Sequence, residues 1–160
     1  MKRIVAIAAL LMMALSAYAQ SGKEIYNRYS GKKGVSSVYI SPTMFGLMKE
    51  LPDIHIESGD VNLGSIIKTF DGMYILSVED SAIAADLEKE IGDMVSQGRF
   101  ELLMEAVEES EKMRIYIVSK GDTVTDFLML AHEPESASVI SISGNMPMAE
   151  LQKILSEVAE

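Results

Sequence analysis

Apolar residues change their period several times along this chain, and each change marks an element boundary. Val35-Ser36-Ser37-Val38-Tyr39-Ile40 is β-branched and aromatic, lies between Gly34 and Ser41-Pro42, and predicts a first strand. Ser41 suits a helix N-cap, and Pro42 suits the first helical position, where a missing N–H costs nothing. Met44, Phe45, Met48 and Leu51 then share one helical face, and Pro52 stops the helix. Asp53 to Asp60 reads as a connecting loop. Leu63, Ile66, Ile67 and Phe70 recur at helical spacing, which predicts a second short helix before an Asp71-Gly72 turn. Met73 to Val78 is apolar at both alternating sets of positions, the pattern of an interior strand covered on each side, or covered on one side and facing a partner on the other.

Ser81 to Gln97 predicts the longest helix of the middle region, with Ile83, Leu87, Ile91, Met94 and Val95 as its stripe and Gly98 at the left-handed C-terminal cap. Phe100 to Val107 fits two periods. Phe100, Leu103, Met104 and Val107 fit a helix, whereas Phe100, Leu102, Met104 and Ala106 fit one face of a strand. Propensity favours the helix. Position favours the strand, because a polar run from Glu108 to Lys112 leads into Met113 to Val118, which is plainly β, and the two then form a hairpin. The strand is the reading taken.

Lys120-Gly121-Asp122 is the next turn, Val124 to Ala131 the next strand, Glu133 to Ser136 a loop, and Ala137 to Ser143 a last strand. Gly144-Asn145 breaks that strand, and Pro147 opens a final helix with the stripe Met148, Leu151, Leu155 and Val158. The order predicts an α+β fold: a mostly antiparallel sheet of about five to six strands with helices packed mainly on one face.

The N-terminus follows another pattern. Lys2 and Arg3 precede an unbroken apolar run from Ile4 to Leu15, and Ser16-Ala17-Tyr18-Ala19 supplies an A-x-A cleavage signal. The run spans only about 18 Å as a helix, short of a hydrocarbon core of about 30 Å. A buried helix would carry polar residues on one side, and this run has none. Residues 1–19 therefore read as a secretory signal peptide and 20–160 as a single α+β domain. The expected location is the periplasm or the extracellular space, with no transmembrane anchor after cleavage. A lipoprotein would need a cysteine at the cleavage site, and the chain has none.

Charge narrows the function classes. The 160 residues carry 14 Lys and Arg against 24 Asp and Glu, a formal charge of −10 that becomes −12 once Lys2 and Arg3 are removed. Nucleic acid is not an expected partner for so acidic a chain. Zero cysteines exclude disulfides, thiol catalysis, Cys-ligated zinc and iron–sulfur clusters. Lys23, Arg28, Lys32 and Lys33 face only Glu24 between Gln20 and Gly34. They form either a docking patch for an anionic partner or membrane surface or, as preferred here, a solvated terminal helix paired with the acidic body.

Candidate chemistry is sparse. His55 and His132 are the two histidines, and no Gly-x-Ser-x-Gly elbow accompanies them. His132 near Glu133 and Glu135, or His55 near Asp53 and Glu57, lacks the His-Glu-x-x-His spacing of a helical metal site, so both read as loop histidines among solvated carboxylates. Gly31-Lys32-Lys33-Gly34 precedes a strand and has neither Walker nor Rossmann spacing. Nine methionines follow the signal: Met44, Met48, Met73, Met94, Met104, Met113, Met129, Met146 and Met148. Thioethers line adaptable grooves, but most of these fall on predicted apolar stripes, which favours core filling.

The run from Gly34 to Phe45, with Phe100-Glu101-Leu102-Leu103-Met104 and Ile142-Ser143-Gly144-Asn145, resembles the family catalogued as domain of unknown function 4252, over nearly the whole of residues 20–160. The resemblance implies a small signal-peptide-bearing protein of the bacterial envelope, supports the strand after Gly98, and brings no catalytic motif. No catalytic, cofactor-binding or metal-ligating residue is assigned, and no cofactor is expected. The leading expectation is a non-enzymatic exported domain that acts by protein–protein interaction in the envelope. A carrier of a small apolar ligand between sheet and helices comes second, and a hydrolase built on a carboxylate pair third.

Overall fold

The computed structural model describes residues 21–49, 57–58, 61–62 and 68–152. In chain order these form helix α1 (Ser21–Tyr29), strand β1 (Val35–Ile40), helix α2 (Pro42–Lys49), a two-stranded ladder of β2 (Glu57–Ser58) with β3 (Val61–Asn62), strand β4 (Phe70–Val78) and helix α3 (Ser81–Ser96). Strands β5 (Glu101–Glu108), β6 (Glu111–Lys120), β7 (Thr123–His132) and β8 (Ala137–Pro147) follow, and a last helix, α4, opens at 148. The six long strands make one sheet in the order β1-β4-β8-β7-β6-β5, every neighbouring pair antiparallel. The fold is α+β, as the alternation of periods predicts.

Three local expectations are corrected. Phe70 does not end a helix; it opens β4, and Asp71-Gly72 lies inside that strand, where the pairing with β8 shifts register. Gly144-Asn145 does not break β8, which runs on to Pro147, so the final helix begins one residue later than expected. Both corrections share a cause: Phe70 pairs with Gly144, and Asn145 N donates to the Thr69 carbonyl at 3.0 Å. A Cβ on Gly144 would fall on that carbonyl oxygen, so the glycine serves a close approach of two backbones rather than a turn. The predicted loop from Asp53 to Asp60 contains strand residues Glu57 and Ser58. Leu51, Pro52, His55, Leu63, Ile66, Ile67, Leu155, Val158 and the signal segment lie outside the described residues.

The long helix and the disputed strand are as expected. The Asp80 carboxylate caps α3, accepting from the backbone N–H groups of Ala82 and Ile83 at 3.0 Å each, and Gly98 beyond its end has φ 74°. Residues 101–108 are strand, because pairing with β6 overrides helix propensity.

The registers separate two faces. On one, Leu76, Val78, Leu128, Leu130, Ala137 and Val139 pack against Ile25 and Tyr29 of α1 and against Ala84, Leu87, Ile91 and Met94 of α3. This face holds the main core. The N-terminal helix keeps its charged side in solvent and pairs with the acidic body, as expected, but its other side, Ile25 and Tyr29, is sunk into the core. Gly22 permits this, since a Cβ there would collide with Ser141 on β8. Arg28 of this helix pairs with Glu90 of α3 at 2.7 Å, and in the turn that follows the Lys32 ammonium sits 4.4 Å above the Tyr29 ring. Among the described residues the short helices touch one end of the other face: Phe45 of α2 meets Phe70 edge-on at 5.9 Å, and Leu151 of α4 joins Ile117, Val124 and Met146. Of the expected stripe Phe45 is buried while Met44 remains exposed, as does Leu47, which lay outside that stripe.

Candidate functional site: the open face of the sheet

Directly opposed residues in antiparallel strands point to the same side of a sheet. Val38 pairs with Ile75, Ile75 with Ile140, Ile140 with Met129, Met129 with Ile115 and Ile115 with Met104. These residues form one unbroken apolar row across the whole sheet, on the face away from α1 and α3. Beside it runs a second row, Ile40, Met73, Ile142, Phe127 and Ile117, which ends at Glu101. On the other flank Ser36, Ser77, Ser138 and Ala131 form a small and largely polar border that ends in Met113 and Ala106. The middle of the first row is half-buried, while its ends, Val38 and Met104, are 51% and 43% exposed.

A cavity of about 310 Å3 opens over the two apolar rows. Its floor is Ile115, Phe127, Met129, Ile140 and Ile142, and Phe70, Met146 and Leu151 close one end. The lining is apolar throughout, so nothing in it orients a substrate or carries a proton. The volume falls near the lower end of ordinary ligand pockets, roughly 300–1,000 Å3. It lies opposite α1 and α3, so the layer between the sheet and its main helices, where a cavity was expected, is instead the filled core.

The methionines change meaning accordingly. Met94 does fill the helix-covered core, but Met73, Met104, Met113 and Met129 all stand on the open face, and Met146 lines the cavity. A flexible, polarizable side chain set repeatedly on a face that α1 and α3 leave free gives that face the capacity to adapt to what it meets.

Charged side chains gather on the opposite face. Arg114 Nε donates to Glu105 at 2.6 Å, and Glu88 of α3 lies 3.8 Å from Arg114 and 3.6 Å from His132 Nε2. The Arg114 guanidinium, through that hydrogen bond, holds the Glu105 carboxyl below the usual carboxylate range. His132 ends β7 under α3 and faces Glu88, not the loop carboxylates Glu133 and Glu135 with which sequence spacing grouped it. Glu133 instead accepts from the Ser136 hydroxyl at 3.0 Å. Asp126 is buried, which pushes its carboxyl up; a hydrogen bond from Thr125 Oγ1 at 2.8 Å and the charge of Lys120 oppose that shift. Tyr39 stacks on Tyr74 at 4.8 Å, with Tyr26 5.2 Å from Tyr74. Among the described residues, no three His, Asp or Glu side chains converge as a metal site would require, and no helix is long and apolar enough to cross a membrane.

The open face was only half visible in the sequence. Two-sided apolarity in Met73 to Val78 signalled that both faces of β4 meet apolar surroundings, but the row depends on registers between strands distant in the chain. The profile of the family described as Domain of unknown function (DUF4252) matches residues 29–154. No curated protein matches the chain.

Proposed function

We propose that this chain, which belongs to the DUF4252 family, is an exported, non-enzymatic domain that binds another protein of the bacterial envelope through the open face of its sheet. The observation that carries the reading is the apolar row from Val38 to Met104. Five interstrand gaps at about 4.8 Å make it about 24 Å long, the length of a helix of about 16 residues. A helix with one apolar stripe would cover the row and leave its polar side in solvent. Export rests on Lys2-Arg3, the apolar run that follows and Ala17-Tyr18-Ala19.

A second reading has its own observation. The cavity of about 310 Å3 fits a small apolar ligand. The protein partner is preferred because ligand pockets carry a few polar groups that fix orientation, whereas this lining carries none. Crosslinking in intact cells followed by mass spectrometry tests the first reading: adducts to another envelope protein are expected, and only self-contacts at native abundance would overturn it. Native mass spectrometry of protein from its own host tests the second: a co-purifying apolar ligand supports a carrier, and bare protein refutes it.

A further inference from the structure

Among the described residues the edge strand β5 pairs with β6 alone, so its outer side presents backbone donors and acceptors with no described strand beside them along eight residues. Folded proteins usually blunt such an edge with proline, lysine or a covering element. β5 has neither residue, and its side chains are exposed on both faces: Leu102 and Val107 on the side of α3, Met104 and Ala106 on the open side. Its one irregularity is the register shift between Leu102 and Met104; from Met104 to Glu108 the ladder is regular. The edge is also of one sign. Glu105 is held by Arg114, whereas Glu101 and Glu108, near the two ends, have no salt-bridge partner among the described residues. Glu109 and Glu111 extend the negative charge past the strand.

From this edge we propose a second docking surface: β5 accepts an extended segment of another protein, basic at its ends and apolar between, as a seventh strand of the sheet. Charge selects the occupant. A second copy paired antiparallel about a two-fold at Glu105, with the extra residue between Leu102 and Met104 bulged, would set Glu105 against its own copy and Glu101 against Glu108 at both ends, and like charges in opposed positions repel. A segment with Lys or Arg at those places meets both carboxylates. Its central apolar residues extend the row that ends at Met104 on one face and cover Leu102 and Val107 on the other. Backbone pairing supplies affinity and the terminal charges supply register, as in other strand-addition complexes. Glu101 and Glu108 then have two effects, discouraging self-association and attracting a basic strand. The edge shares Met104 with the open-face row, but backbone pairing along β5 does not depend on the rest of that row being covered, so loss of either binding leaves the other standing.

The test uses the full chain with two synthetic peptides, Lys-Val-Val-Thr-Val-Val-Lys, whose two lysines fall on one face as Glu101 and Glu108 do, and the same peptide with Glu at both ends. Binding isotherms are read together with hydrogen exchange. The basic peptide is expected to bind about tenfold more tightly than the acidic one and to slow exchange across residues 104–108. The double variant Glu101→Lys, Glu108→Lys is expected to reverse that order; both positions are exposed, so the fold should survive, and Glu108→Gln alone should narrow the preference if the double variant melts early. Equal affinity for the two peptides, binding without protection of β5, or protection of β5 by self-association in the absence of peptide would each overturn the proposal.

Discussion

The Tyr29 hydroxyl donates to Glu90 Oε2 at 2.9 Å, tying the last turn of α1 to the middle of α3. Burial, then the hydrogen bond to Glu90 and its negative charge, raise the phenol well above the ordinary tyrosine value. Removing the hydroxyl leaves Glu90 with Arg28 alone, so Tyr29→Phe should cost about 1–2 kcal/mol in urea denaturation at pH 7. The sign of the pH dependence follows from linkage. The unfolded chain loses this proton near pH 10 while the folded chain keeps it, so stability falls as pH rises above 10. Tyr29→Phe should make that alkaline decline shallower, and an unchanged slope would show that the bond has no energetic role.

Asp126 should destabilise the protein at neutral pH. Its folded carboxyl is raised above the value near 3.8 of an unfolded aspartate, so the native state holds the proton longer than the unfolded state does. Its contribution is complete below pH 3.8 and is lost as pH rises through the folded value. Asp126→Asn keeps an acceptor for Thr125 and removes the buried charge. The expected outcome is a higher urea midpoint at pH 7, with the advantage over the parent shrinking toward pH 4. A lower midpoint at pH 7 would mean that the carboxylate is stabilised by more than Thr125 and Lys120.

Gly22 should be intolerant of a methyl group for a reason that a second substitution can cure. A Cβ there would lie 2.7 Å from Ser141 Cβ and still closer to its hydroxyl. Gly22→Ala therefore forces α1 away from the sheet, at a cost of about 1–3 kcal/mol. In the background of Ser141→Gly most of that cost should vanish, giving a positive coupling in a double-mutant cycle. Additive effects would place the strain elsewhere.

These particulars show what was legible in the chain. The α3 stripe, the Gly98 cap and the meander from β5 to β8 follow from local period and turn chemistry, and the tie over residues 100–107 was broken by a neighbouring strand. Phe70 misled because its helical spacing from Leu63, Ile66 and Ile67 is local, whereas its pairing with Gly144 is remote in sequence. The same holds for the site. Each strand showed which positions are apolar, but whether Val38, Ile75, Ile140, Met129, Ile115 and Met104 share a row depends on five registers, and a slip of one residue in any strand would turn its member to the other face. Which face α1 and α3 cover is a tertiary fact, so the sequence could count the methionines without separating Met94, inside, from Met104, outside.

The claim that the row is a binding surface is tested most directly by a photo-crosslinking residue placed in living cells at Val38, at Met104 and, as a control on the helix-covered side, at the exposed Asn27 of α1. The account predicts adducts to the same other protein from Val38 and Met104 and none from Asn27, with the crosslinked residues of that protein spaced by three or four along one helical face. Adducts only to copies of this chain, or equal yield from Asn27, would contradict it.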